Sequence, residues 1–311
     1  MSDHTLTSPP LGWQAALRQH VNAHPRVAMA LAVALVGVLL LLLQSIVAML
    51  SGDLPDGARY GLIGGLAGFT ATALGALPAL VLRSISQKVE DTMLGFAAGM
   101  MLAASAFSLL LPGLEAAETL TGNPFLAATV VVLGMLLGVL LMLGLDQFTP
   151  HEHDKTGPCG PGHESCSRVW LFVFAIALHN LPEGMAIGVS FSQGDMRVGL
   201  PLTTAIALQD IPEGLAVALA IIAAGYRPAM AVLIAILSGL LEPIGALVGV
   251  GLSSGLAIAY PIGLGLAAGA MLFVVSHEVI PETHRNGHQT FATLGLMGGF
   301  ALMMTLDTAL G

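Results

Sequence analysis

The chain alternates long apolar runs with short polar connectors. Nine runs approach membrane-spanning length: 27–50, 60–82, 93–113, 125–148, 169–192, 199–224, 229–252, 261–281 and 291–310. A helix needs about 20 mostly apolar residues to cross the hydrocarbon core of a bilayer. A helix also satisfies its backbone polar groups internally, as lipid requires. The pattern predicts an all-α, polytopic membrane helix bundle of about nine transmembrane helices. Residues 1–26 are polar. The run 27–50 is too long for a signal-peptide core and has no clear cleavage site, so it reads as a retained span. It is rich in Leu and Val and has no acidic residue, which fits a lipid-facing accessory helix. Three runs over 60–148 and three over 229–310 flank a central pair at 169–224. This 3+2+3 layout suits an inverted repeat with the central pair on the pseudo-two-fold axis.

Composition agrees with the hydropathy pattern. The chain is 55% hydrophobic and 9% charged, against about 25% charged in soluble domains. Its 38 glycines fit helices that pack closely in lipid. The formal net charge is −9, with several acidic residues inside apolar runs, and nothing resembles a basic nucleic-acid footprint. With the N-terminus in the cytoplasm and nine alternating spans, Arg18, Arg26, Arg83, Lys88, Lys155, Arg168, Arg227 and Arg285 lie inside, and only Arg59 and Arg197 outside. That asymmetry favours a cytoplasmic N-terminus and an outward C-terminus.

The central pair carries two nearly matching hexapeptides, His179-Asn180-Leu181-Pro182-Glu183-Gly184 and Gln209-Asp210-Ile211-Pro212-Glu213-Gly214, 30 residues apart. Residues three and four apart share a helix face. His179, Asn180 and Glu183 therefore form one stripe, and Gln209, Asp210 and Glu213 another. Both fall near the middle of their spans, where an ionisable group costs about 3 kcal/mol on insertion scales. Pro182 and Pro212 cannot donate to the carbonyls four residues back. Such non-ideal backbone is tolerated where it lines a polar cavity. Gly184 and Gly214 allow a neighbouring helix to come close. Glu242, followed by Pro243, repeats the pairing of a midmembrane carboxylate with proline in the next span. Four carboxylates in one pocket repel unless cations or protons neutralise them. A glutamate from each motif can bridge two divalent ions, and the mixed oxygen and imidazole set suits Zn²⁺, Cd²⁺, Fe²⁺ or Mn²⁺. A proton relay built from the same groups remains the alternative at this point.

These residues resemble the paired signature helices of the ZIP (Zrt/Irt-like) metal transporters, and the long His-bearing loop before the first motif is also similar. The resemblance covers roughly residues 60–310 and is strongest to bacterial members. It implies a dinuclear site, with His179, Glu183, Gln209 and Glu213 around one ion and Asn180, Glu183, Asp210, Glu213 and Glu242 around the other. It implies passage into the cytoplasm across a bacterial inner membrane by an elevator-like alternating access. Many members are described with eight spans and an outward N-terminus, so the extra first span departs from the family's count.

Topology places further candidates along the path. Met101 and Ser108 lie in the third span and Asp307 near the outer end of the last; Asp307 fits either an entrance group or a plain helix-end carboxylate, and Met101 fits core packing or a soft ligand. Asp146, His277 and Glu278 fall near inner ends, where with His151, His153 and His163 of the loop 149–168 they are expected to form an exit relay. The loop histidines read equally as a solvated segment. Cys159 and Cys166, spaced C-x6-C, match no common zinc-ribbon or redox signature. They are incidental thiols or metal contacts beside the histidines.

Two other function classes compete. A metalloprotease needs His-Glu-x-x-His on one helix face. The nearest string, His277 to His284, places its histidines seven apart with Pro281 between them, so no enzyme is expected. A metal-selective channel shares midmembrane ligands with a carrier but must release ions readily. No Walker A sequence is present, and no prosthetic group is expected. The partners implied are divalent ions and the lipid bilayer. A homodimer suits such a fold, and the oligomeric state stays open.

Overall fold

The computed structural model describes residues 13–29, 31–33, 36, 39–40, 43, 47, 55–148, 151–153, 157–159, 168–253 and 256–310, with backbone alone at 13–17, 148, 151–153, 157–159 and 168–178. The elements are α1 (Trp13–Ala23), α2 (Asp56–Ala76), α3 (Gln87–Ala103), α4 (Leu111–Thr121), α5 (Pro124–Phe148), β1 (His151–His153), β2 (Gly157–Cys159), α6 (Arg168–Phe191), α7 (Met196–Ala223), α8 (Pro228–Ser238), α9 (Leu241–Ser253), α10 (Ala259–Val274), α11 (Ile280–Thr283) and α12 (Gln289–Leu310). Among the described residues, seven helical stretches are long and apolar enough to cross a membrane. Helix α6, which carries the first motif, has 24 residues. The run 27–50 is described only in part; its described positions Val33, Val36, Leu40, Leu43 and Val47 are helical and exposed. The expected count of nine therefore lies partly outside the described residues.

Two spans differ from expectation. The third runs as one 35-residue stretch, Gln87–Thr121, rather than 93–113. Its polar ends remain helical, and hydropathy marks only the apolar middle. Between α3 and α4 the helix widens into a π turn, Ala104–Leu110. The same device recurs after α10 at Val275–Val279. In both cases a proline follows, Pro112 or Pro281, and cannot donate to the carbonyl four residues back, that of Ser108 or His277. The other difference concerns 229–252, which is broken at Gly239–Leu240 into α8 and α9. Pro243 has no N–H for the Gly239 carbonyl, which instead accepts from the Glu242 amide at 3.1 Å. Glu242 therefore sits in the first turn of a half-helix, not mid-helix.

The helices pack as two sets, each joining segments distant in the chain. Helix α6 packs on α9 and α7 on α2; α3 packs on α12 and α5 on α10. Glycines line each seam. A Cβ at Gly184 would strike the Glu242 backbone, one at Gly214 the Thr72 backbone, one at Gly99 the Leu296 carbonyl and one at Gly138 the Leu266 carbonyl. The seams are so close that only hydrogen fits there, the packing that lipid favours. The main core joins the two helix sets through Met100, Met101, Leu109, Ile187, Leu202, Ile206 and Met271. The outer flanks are α5 and α12, whose apolar windows are only 28% and 17% buried; they present Leu133, Leu137, Leu294 and Met297 outward. Ends are set locally: Gly122 (φ 64°) closes α4, Asn123 Oδ1 accepts from the Phe125 amide at 2.9 Å to start α5, and Asp195 Oδ1 accepts from the Arg197 amide at 2.8 Å to start α7.

Candidate metal centre

Both motif stripes face inward. His179, Asn180, Glu183, Gln209, Asp210 and Glu242 are all buried, and Glu183, Gln209 and Glu242 are at most 1% exposed. The helical assignment runs unbroken through Pro182 and Pro212. Facing helices α6 and α7 bring Glu183, Asp210 and Glu213 together, with one carboxylate oxygen from each lying within 4.8 Å of the others. His179 Nδ1 lies 4.0 Å from Glu213 Oε1. Gln209 Nε2 donates to Glu183 Oε1. Glu242 joins from the broken helix. Its Oε2 and Asp210 Oδ2 both crowd the position a Cβ at Gly68 would occupy, and its Oε1 accepts from Thr72 Oγ1 at 2.7 Å.

The remaining valences carry chemical meaning. Glu183 Oε2, Gln209 Oε1, Asp210 Oδ2, Glu213 Oε1 and Glu242 Oε2 are buried without a hydrogen-bond partner. Buried polar atoms are normally satisfied, and an unpaired buried charge costs several kcal/mol. The clustered oxygens of Glu183, Asp210 and Glu213, with Glu242 beside Asp210, make a donor set that a divalent cation fits. Four midmembrane carboxylates would cost roughly 12 kcal/mol on insertion scales, comparable to the whole folding free energy of a domain.

The other predicted residues fall into separate places. Asp146, His277 and Glu278, from α5 and the second π turn, form a cluster of ligand atoms within 4.8 Å of one another. Phe273 packs on the His277 ring at 4.9 Å. Ser108 Oγ, from the first π turn, donates to Asp307 Oδ1 at 2.6 Å. Met101, 1% exposed, lies in the apolar core. His151 and His153 form β1, paired antiparallel with β2 in the register His151 to Cys159; their side chains, His163 and Cys166 lie outside what is described. Two site residues were missed from sequence. Thr72 and Gly68 stand one helical turn apart on α2, in the small-residue stripe Gly61, Gly64, Gly65, Gly68, Thr72 and Gly75. Thr72 is the single hydroxyl in that stripe, a signal that only the position of Glu242 makes readable.

Comparison with known proteins decides the family. The model of the ZIP Zinc transporter family matches residues 149–307. The chain is 65% identical over 298 residues to the zinc transporter ZIPB of Bordetella bronchiseptica, covering 96% of each chain. The chain belongs to the ZIP family. Like its relatives, this ZIP protein stands among transporters rather than enzymes. It is also 44% identical over 254 residues to the zinc transporter GufA of Myxococcus xanthus, covering 81% of this chain and 99% of that one. To the human zinc transporter ZIP11 it is 29% identical over 324 residues, covering 77% and 94%.

Proposed function

We propose that this ZIP protein carries zinc-class divalent cations across a bacterial inner membrane into the cytoplasm, through a midmembrane dinuclear site. The observation that carries this reading is the convergence of unpartnered buried oxygens from Glu183, Asp210, Glu213 and Glu242, with His179, Asn180 and Gln209 beside them. His179, Glu183, Gln209 and Glu213 hold one ion; Asn180, Glu183, Asp210, Glu213 and Glu242 hold the second. The glutamates of the two motifs bridge the ions. Relatives named as zinc transporters support zinc as cargo; the donor set also admits Cd²⁺, Fe²⁺ and Mn²⁺.

Transport follows alternating access. Ions enter by the pair Ser108 and Asp307. The block α2, α6, α7, α8 and α9 holds them and moves as a unit against α3 to α5 and α10 to α12. The glycine seams within each block support rigid bodies, and the side-chain-packed core between the blocks supports movement there. Release passes Asp146, His277 and Glu278, with His151 and His153 of the loop beyond. With nine alternating spans, the excess of Lys and Arg on the inner connectors favours a cytoplasmic N-terminus and an outward C-terminus. The test is zinc uptake into proteoliposomes. Glu183→Ala or Asp210→Ala should cut the rate at least about tenfold, the low end of what losing metal-site groups costs. Near-normal uptake by either would remove the central site from the path.

A further inference from the structure

His20, in the last turn of α1, and His24, just beyond its end, stand at i and i+4, the spacing that puts two imidazoles on one helix face to share a metal ion. Their ring centroids are 4.6 Å apart. The chain turns helically past the end of α1, the His24 amide reaching the His20 carbonyl at 2.9 Å. The His24 Nδ1 also lies 3.3 Å from that carbonyl oxygen. A metal-ligating histidine commonly holds a backbone carbonyl through its other ring nitrogen, which fixes the tautomer and points Nε2 at the ion. The His20 ring meets the backbone of Gln147, at the end of α5, and its Nε2 is shielded from solvent. Gln147 directly follows Asp146, a member of the Asp146, His277 and Glu278 cluster. The N-terminal helix is thus seated beside that second donor cluster, on the same side of the bundle.

We infer that His20 and His24 form a docking site for a zinc-class divalent cation at the mouth of the bundle, next in line after Asp146, His277 and Glu278. This inference rests on the reading of that cluster as the exit. The chemistry is consistent throughout. Asp146 and Glu278 draw a cation to this end of the molecule, and an imidazole pair gives it a nitrogen-rich resting place. Loss of hydration, then the His24 ring, push the His20 imidazole below its usual range, against the opposing pull of the Gln147 carbonyl. The N-terminal segment becomes a working part of the path and not a mere leader to the first span.

The experiment uses the full-length protein in lipid nanodiscs and in liposomes, with Zn²⁺ for equilibrium dialysis and uptake and Cu²⁺ as an electron paramagnetic probe. Three variants are compared: H20L/H24L, D146N/H277L and Glu183→Ala. The H20L/H24L variant should bind one Zn²⁺ fewer, or bind it about tenfold more weakly. Its maximal uptake should fall several-fold with KM unchanged, because release is affected and capture is not. Wild type should show a Cu²⁺ signal with two nitrogen ligands that H20L/H24L lacks. Because α1 lies outside the membrane spans, unchanged thermal unfolding should accompany these losses. Unchanged stoichiometry in H20L/H24L overturns the site. Lower stoichiometry with full uptake overturns its place in the path. Normal uptake by Glu183→Ala defeats the central-site reading instead, and normal uptake by D146N/H277L defeats the exit reading; the Cu²⁺ signal reports on the histidine pair separately from both.

Discussion

Thr72→Val probes the centre from outside its own donor set. The substitution keeps the shape and removes one hydroxyl, the one that donates to Glu242 Oε1 at 2.7 Å. Thr72 is 5% exposed and Glu242 is fully buried, so water does not readily replace the bond. That hydrogen bond fixes one oxygen of Glu242 and leaves Oε2 turned toward Asp210. A hydrogen bond to a charged group contributes about 1.5–3 kcal/mol. At about 1.4 kcal/mol per decade, metal affinity should fall between about tenfold and about a hundredfold. The assay is the concentration dependence of zinc uptake in proteoliposomes, with thermal unfolding as a fold control. KM should rise while unfolding changes little, and Thr72→Ser should restore most of the loss. Equal KM in wild type and Thr72→Val would refute the positioning role. So would a Ser variant as impaired as the Val variant, since that points to packing.

Three further outcomes are expected. Gly68→Ala should abolish uptake while the protein still folds: its Cβ meets the flexible end of Glu242 and lies 3.2 Å from Asp210 Oδ2, while helix propensity improves by about 1 kcal/mol; uptake assay and thermal unfolding separate the two effects. Asp91→Ala should destabilise without changing ion selectivity. Its buried carboxylate accepts from Asn286 Nδ2 at 3.0 Å and Gln87 Nε2 at 3.2 Å and pairs with His288 at 2.9 Å, so about 2 kcal/mol should appear as a lower unfolding midpoint. Deleting 151–166 should alter uptake kinetics while leaving some transport, and unchanged kinetics would reject a role for that loop.

Much of this was readable in the chain because lipid restricts the options. Apolar run length located the helices, and the spacing of His179 with Glu183 and of Asp210 with Glu213 located the stripes. Topology put Asp146 and the pair His277 and Glu278 at one end, where the structure brings them together. Other features depend on tertiary contacts that hydropathy does not report. The break before Glu242 is set by Pro243 and by the close approach of Thr72 to Gly239; in sequence the segment reads as one uniform apolar run. The π turns are signalled only by Pro112 and Pro281, which also occur in ordinary helices. Met101 fits a soft ligand or core packing by its chemistry, and the fold sets it in the buried core with Met100 and Leu109. The role of Thr72 appears only once α2 lies against Glu242.

The most direct measurement is anomalous diffraction at the zinc edge from crystals of the metal-loaded protein. Two peaks roughly 3.5–4 Å apart are expected between α6 and α7, each about 2.0–2.2 Å from its imidazole or carboxylate donors, with Glu183 and Glu213 touching both. Zinc bound only elsewhere, or these side chains turned away from each other in the loaded protein, would contradict a shared midmembrane clasp.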